Sequence, residues 1–289
     1  RCLMSLTYRD TVLITAPALN NLLKTQHSVS ILAVRSDDSI CPRPYETAPR
    51  IPGAQETSLA KDFSAPSHPQ NGSRPLPDLA ELQKTVRQLG LTRECTIIVY
   101  DHDGNLQAAR AWWVLRWAGF SNVFMLDGGF QAWFEQGFPV TYDRPQPPEH
   151  SDETILTGQM PVMNAESAAD LARTGVLLDS RINVNYKGGV TPPGAPRRGH
   201  IPGAHNRPAP DNLAESGAFL ETEALRALYA AHGVDGTQSV GVYCGAGVSA
   251  AHNVAVLMIL GIEAPMYPGS WSAWISDQER PVATGNEPG

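Results

Sequence analysis

Short apolar runs alternate with amphipathic stretches along most of the chain. Residues 12–15, 29–34, 96–100 and 123–126 are nearly continuous apolar runs of strand length. With no polar face, such runs predict strands buried on both sides. Residues 79–89 and 108–118 carry apolar positions at helical spacing, and Gly90 and Gly119 close them. Pro17 falls where a helix begins after the first strand, as its fixed φ and missing N–H favour. Strands alternating with helices predict parallel βα units, with helices on both faces of each sheet. Residues 40–77, rich in Pro, Ser and charge, predict mostly loop.

The order then recurs. Residues 143–152 are polar and Pro-rich and predict an extended linker. Beyond it, 175–181 answers 31–35, and Ile201-Pro202-Gly203-Ala204 repeats Ile51-Pro52-Gly53-Ala54. Residues 240–244 answer 98–101, and Gly269-Ser270-Trp271-Ser272-Ala273-Trp274 answers the stretch from Gly128 to Trp133. Four landmarks in one order predict an internal duplication. The expected boundaries are a first domain over 1–142, a linker over 143–160 and a second domain over 161–289. A chain of 289 residues agrees with two domains of ordinary size.

Composition narrows the function classes. Apolar residues make up 42% of the chain, enough for packed cores. The net charge of -7 argues against a general partner of nucleic acid or of an acidic membrane surface. Cys2, Cys41, Cys95 and Cys244 form no Cys-x-x-Cys pair, and no histidine spacing points to zinc, so neither a metal nor a cofactor is expected. Four cysteines in so long a chain are no disulfide framework, and the expectation is a reducing, cytoplasmic compartment. Residues 1–6 lack a signal peptide's long apolar core, and the true N-terminus is left open.

The stretch with the most chemistry runs from Ser239 to Leu260. It predicts a strand ending at Tyr243, then Cys244, a loop with Gly245 and Gly247, and a buried helix. Unpaired N–H groups and partial positive charge gather at a helix start, so an anion is stabilised there. A thiolate at Cys244 is such an anion, and a nucleophilic one. The bland alternative is a buried cysteine that merely ends a core strand. Ser249 has two readings, a donor to the sulfur and a helix N-cap. His252 falls within the helix and reads as a packed residue. Asp101 holds the place of Cys244 in the first repeat, and Asp101-His102-Asp103 reads as a solvated turn where substitutions are mild.

Cys244-Gly245-Ala246-Gly247-Val248-Ser249-Ala250 resembles the active-site loop of the rhodanese-type sulfurtransferases. Asp179-Ser180-Arg181, Gly199-His200-Ile201-Pro202-Gly203-Ala204 and Gly269-Ser270-Trp271-Ser272-Ala273-Trp274 resemble the family's other motifs, in its order. The resemblance covers nearly the whole chain and implies an α/β protein of two tandem rhodanese domains, only the second catalytic. It implies that Cys244 takes a sulfane sulfur from a small anionic donor and passes it to a thiophilic acceptor, cyanide or a thiol, with no cofactor. By the same resemblance, residues 245–250 hold the sulfur and Arg181 supports the loop. A salt bridge from Arg181 to Asp179 is the structural reading of that arginine. His200, Trp271 and Trp274 are read as stabilising the fold.

Departures from the family pattern bear on the donor. A second arginine, expected where Asn185 stands, is missing, and so is a further one near Gly194. The thiosulfate-type relatives carry a basic residue where this chain has Ala246. The histidine–aspartate pair of the mercaptopyruvate type has no match in 59–77. Lys187, Arg197 and Arg198 are the nearby cations that could substitute. Thiosulfate is the expected donor, with mercaptopyruvate transfer or a non-catalytic sulfur-carrying or regulatory module as alternatives. A cysteine phosphatase would need arginine at position 250, where Ala250 stands.

Overall fold

The computed structural model describes residues 7–26, 28–36 and 47–289. Cys2, Cys41 and the first part of the expected loop over 40–77 lie outside the described residues. The chain divides into two compact units. The first holds the described residues up to Ser64 together with Pro77–Met160 and Leu213–Phe219. The second holds Ala65–Leu76, Pro161–Asn212 and Leu220–Gly289.

In the first unit, strands β1 (Leu13–Ile14), β2 (Val29–Arg35), β3 (Gln55–Ser58), β4 (Thr96–Tyr100) and β5 (Val123–Leu126) form one sheet. Its order is β1-β5-β4-β2-β3, and every pairing is parallel. Helices α1 (Ala16–Thr25), α2 (Leu59–Asp62), α3 (Leu79–Gln88) and α4 (Ala108–Trp117) connect these strands, and α5 (Gly129–Glu135) follows the last of them. Thr15 caps α1 and Asp78 caps α3 through their side chains, which satisfies N–H groups that would otherwise be orphaned. Helix α4 is buried along nearly its whole length, including Trp112 and Trp113. The stretch over 40–77, expected to be mostly loop, contains β3 and α2. Its strand is polar in sequence (Gln55, Glu56, Thr57, Ser58), so apolar patterning does not reveal it.

In the second unit, β6 (Val176–Asp179), β7 (His205–Asn206) and β8 (Val240–Tyr243) form a parallel sheet of order β7-β6-β8. Parallel bridges Val242–Met266 and Val162–Met266 continue it. The result is β7-β6-β8-Met266-Val162, the counterpart of β3-β2-β4-β5-β1. Helices α6 (Ala165–Thr174), α7 (Asn183–Lys187), α8 (Thr222–Ala230), α9 (Ser249–Ile259) and α10 (Ser270–Trp274) complete the unit.

The duplication extends to single hydrogen bonds. Ile51 N–H donates to the Tyr100 hydroxyl (3.2 Å), and Ile201 N–H to the Tyr243 hydroxyl (3.0 Å). Trp133 Nε1 donates to Pro139 O (2.7 Å), and Trp274 Nε1 to Pro281 O (2.9 Å). Gly53 and Gly203 both adopt positive φ, at 81° and 87°. Among the described residues no helix is long and apolar enough to cross a membrane. The segment expected as a linker has no regular element after residue 143, yet it is docked: Ser151 N–H donates to Arg87 O, and Leu156 N–H to Ala118 O.

One expectation is corrected here. Asp101 does not sit in a solvated turn; it is 3% exposed. Its Oδ1 accepts from the N–H groups of Asp103 and Asn105, and Oδ2 from those of Gln107 and Ala108, all at 2.8 Å. Burial pushes the Asp101 carboxyl up, with the N–H groups of Ala108, Asp103 and Gln107 opposing. The first repeat thus fills its strand-end loop with a carboxyl group that gathers the loop's N–H groups. Asp101→Asn would turn an amide N–H₂ toward two of these donors. It is expected to lower stability by about 1–3 kcal/mol, the cost of leaving buried donors unpaired. Chemical denaturation of the full chain measures this; an unchanged midpoint would remove the assigned role.

Candidate active site

Strand β8 is buried at every position and delivers Cys244 to its carboxyl end, where sites form in parallel α/β sheets. Cys244 is 2% exposed. Gly247, at φ 75°, turns the loop so that its N–H donates to Cys244 Sγ at 3.1 Å. A β-carbon is strained at that φ, so glycine belongs here. Helix α9 starts at Ser249, with Val248 as its N-cap and no side-chain cap bond. Ser249 is therefore a first-turn residue, and the N-cap reading does not hold. Ala250 is fully buried as packing, while Gly245, Ala246 and Val248 are half-buried along the loop.

Arg181 leaves the end of β6 and turns back on it. Its Nε donates to both Asp179 oxygens (3.0 and 3.1 Å) and its Nη2 to Asp179 Oδ2 (2.5 Å). Nη2 also donates to Gly199 O at 2.7 Å. The guanidinium lies 4.7 Å from the Trp271 ring centre, a cation–π arrangement. Burial disfavours the charge, but Asp179 outweighs it and holds Arg181 above its ordinary range. The salt-bridge reading of this arginine is the observed one. None of these bonds uses Nη1. A β-carbon on Gly245 would sit 3.7 Å from Arg181 Cδ, which sets the arginine stem against the cysteine loop.

The first unit solves the same problem differently. Ala33 replaces the aspartate, and Arg35 takes its carboxylate from the adjacent strand, with Nε 2.9 Å from Glu56 Oε1. Glu56 pairs in register with Ala33, as Asn206 does with Asp179. Burial raises the Glu56 carboxyl to about 7, with Arg35 opposing.

The proposed anion contacts do not all converge. Arg197 is committed elsewhere: Nη1 donates to Arg280 O at 2.7 Å and Nη2 to the carbonyls of Asp277 and Ile275, just beyond α10. It braces the turn that follows α10 and is not a cation waiting for substrate. Asn185, Lys187 and Arg198 are exposed. Gly188 packs against Arg198 and Gly199, which brings Lys187 and Arg198 into one neighbourhood beside the carbonyl that Arg181 holds. Gly194 is exposed at φ 74°.

Sequence reasoning missed two groups of residues. Asn253 Nδ2 donates to Ser180 Oγ (2.8 Å) and Arg207 O (2.7 Å), tying α9 to the turn that carries Arg181. Asn212 Nδ2 reaches Asn253 Oδ1 (2.7 Å) and His252 Nδ1 (3.1 Å), so His252 is indeed a packed residue of a buried polar network. The other residue is Ser270. Cys244 N–H donates to its Oγ (3.1 Å), which lies 3.9 Å from Cys244 Sγ. The signal was present in the repeat itself, which has Gly129 at that place. His200, Trp271 and Trp274 are buried within the fold as expected. Among the described residues no three His, Cys, Asp or Glu side chains are grouped to hold a metal ion.

Two parallel βα units built on one plan, one of them presenting a cysteine at a strand end, define the class. The rhodanese-like domain matches residues 15–136 and again 164–277, and the chain belongs to the rhodanese family. It is 41% identical over 284 residues to a putative thiosulfate sulfurtransferase, SseB, of Mycobacterium tuberculosis, covering 96% of this chain and 98% of that one. It is 38% identical over 244 residues to a probable 3-mercaptopyruvate sulfurtransferase of Pseudomonas aeruginosa, covering 82% and 84%. In fold it is similar to the anaerobic ergothioneine biosynthesis enzyme from Chlorobium limicola, with a TM-score of 0.82 at 20% identity, covering 98% of this chain and 72% of that one.

Proposed function

We propose that the protein is a sulfurtransferase in which Cys244 carries the sulfur as a persulfide and thiosulfate is the donor. The observation that carries this reading is the Cys244 sulfur itself, buried at the start of α9 and accepting the Gly247 N–H at 3.1 Å. In the first half-reaction the Cys244 thiolate attacks the outer sulfur of thiosulfate. The S–S bond breaks, and sulfite leaves with the electron pair. In the second, cyanide or a thiolate attacks the outer sulfur of the persulfide, and the electron pair returns to Cys244. Arg181, fixed by Asp179, keeps the loop in place and offers Nη1 to the donor. The first unit, with Asp101 in place of the cysteine, is catalytically silent.

The mercaptopyruvate alternative draws on the name of the Pseudomonas aeruginosa relative. A planar carboxylate is best held by bidentate arginine. The two expected places hold Asn185 and Gly194, and Arg197 is occupied. A compact dianion is served by N–H groups and by diffuse charge from Lys187 and Arg198. A preference for thiosulfate with a high KM is therefore expected. Asn185→Arg is expected to lower that KM by about tenfold, the lower end of what a charge-assisted contact contributes. Steady-state rates with both donors on one preparation provide the test. A higher kcat/KM for mercaptopyruvate, or weaker thiosulfate use by Asn185→Arg, would overturn the donor assignment.

A further inference from the structure

Both repeats place a left-handed residue at the start of the helix that follows the last strand, although the glycine before it is left-handed in one (Gly128, φ 81°) and right-handed in the other (Gly269, φ -61°), and that residue differs between them. In the first unit that residue is Gly129, at φ 60°, where an added β-carbon would lie 2.6 Å from Asp101 O. In the second it is Ser270, at φ 53° and fully buried. The turn requires this left-handed backbone. In each unit the next residue's N–H donates at 2.9 Å to the carbonyl of the strand-end residue, Phe130 to Asp101 and Trp271 to Cys244. Glycine meets that requirement without strain, as the first unit demonstrates, whereas serine is strained there. Strain of this kind persists where the side chain has a task.

The Ser270 hydroxyl is placed for one. Its oxygen accepts the Cys244 N–H at 3.1 Å. Its single proton has two acceptors within reach, Tyr267 O at 2.8 Å and Cys244 Sγ at 3.9 Å. We propose that Ser270 is a further catalytic residue, whose hydroxyl hydrogen bond is redirected from the Tyr267 carbonyl to the Cys244 sulfur when that sulfur becomes a thiolate. The catalytic consequence rests on the sulfur-transfer reading above. When the acceptor attacks the persulfide, the S–S electron pair collects on Sγ, between the Gly247 N–H and the Ser270 O–H. The hydroxyl keeps its proton; only the bond's direction changes. A hydrogen bond to an anion is stronger than one to a neutral carbonyl, so the switch favours the leaving thiolate.

A purely structural Ser270, bracing the turn through Cys244 N–H and Tyr267 O, would affect stability alone. Ser270→Gly and Ser270→Ala separate the two roles. Three quantities are measured: thermal stability, the pH profile of Cys244 alkylation by iodoacetamide read on its own peptide, and discharge of the persulfide by cyanide. Ser270→Gly is expected to be at least as stable as the parent. Its alkylation profile should move up by about 0.5–1 pH unit, equivalent to a three- to tenfold lower rate at fixed pH, and discharge should slow by about the same factor. Ser270→Ala should show the same chemical losses without the gain in stability, and it carries those readouts if the glycine variant does not fold. Unchanged alkylation and discharge in either folded variant would reduce Ser270 to a turn brace. Alkylation needs no sulfur donor. A parent protein that takes up no sulfur at Cys244 would therefore defeat the sulfur-transfer reading, while the alkylation profile still decides whether Ser270 stabilises the thiolate.

Discussion

Cys244→Ser is expected to abolish sulfur transfer, with turnover reduced by about three orders of magnitude or more. A serine hydroxyl at neutral pH is a far weaker nucleophile than a thiolate and forms no persulfide. The site offers no substitute. Cys95, the other cysteine among the described residues, is buried in the first unit and donates to Thr92 O at 3.1 Å. The substitution is nearly isosteric and leaves the Gly247 N–H an oxygen to donate to, so the fold should survive. Incubating the parent with thiosulfate should add one sulfur atom to the Cys244 peptide, releasable by cyanide. Undiminished turnover by the serine variant, or sulfur found on another peptide, would sink the mechanism.

Asp179→Ala is expected to destabilise the second unit by about 3–5 kcal/mol, because it leaves a buried guanidinium without its counter-charge. Asp179 is fully buried, Arg181 is 9% exposed, and the carboxylate accepts the Arg181 backbone N–H as well as the side-chain bonds. Replacing both residues, Asp179→Ala with Arg181→Met, should recover part of that loss, since removing a buried pair is far milder than breaking it. The recovered fold should still transfer sulfur poorly, because Arg181 braces the cysteine loop. Denaturant titration reads the first effect and single-turnover sulfur uptake the second. A double variant as active as the parent would make the pair purely structural.

The chain order of apolar runs, the duplication and the cysteine loop are all legible without coordinates. Each rests on local chemistry: strands buried on both faces are continuously apolar, and the glycine at position 247 reports a turn a side chain would strain. Strand β3 was not legible, because its residues are polar and it is a strand only by pairing with β2. Asp101 was misread for a related reason. Asp-His-Asp-Gly has the composition of a solvated turn, and only the convergence of four N–H groups on the carboxylate makes it a buried anchor.

The sequence by itself determined the family, the two-unit plan and the identity of the candidate nucleophile, since these depend on residues near one another along the chain. The tertiary structure decided which polar groups reach that nucleophile and which are held elsewhere. Arg181 is bound to Asp179, Arg197 is held by carbonyls some eighty positions later, and Ser270 reaches Cys244 from a separate turn. Arg197 and its carbonyls, like Ser270 and Cys244, are far apart in sequence and are brought together by the parallel sheet, whose crossovers return distant strand ends to one edge. No local pattern encodes those distances.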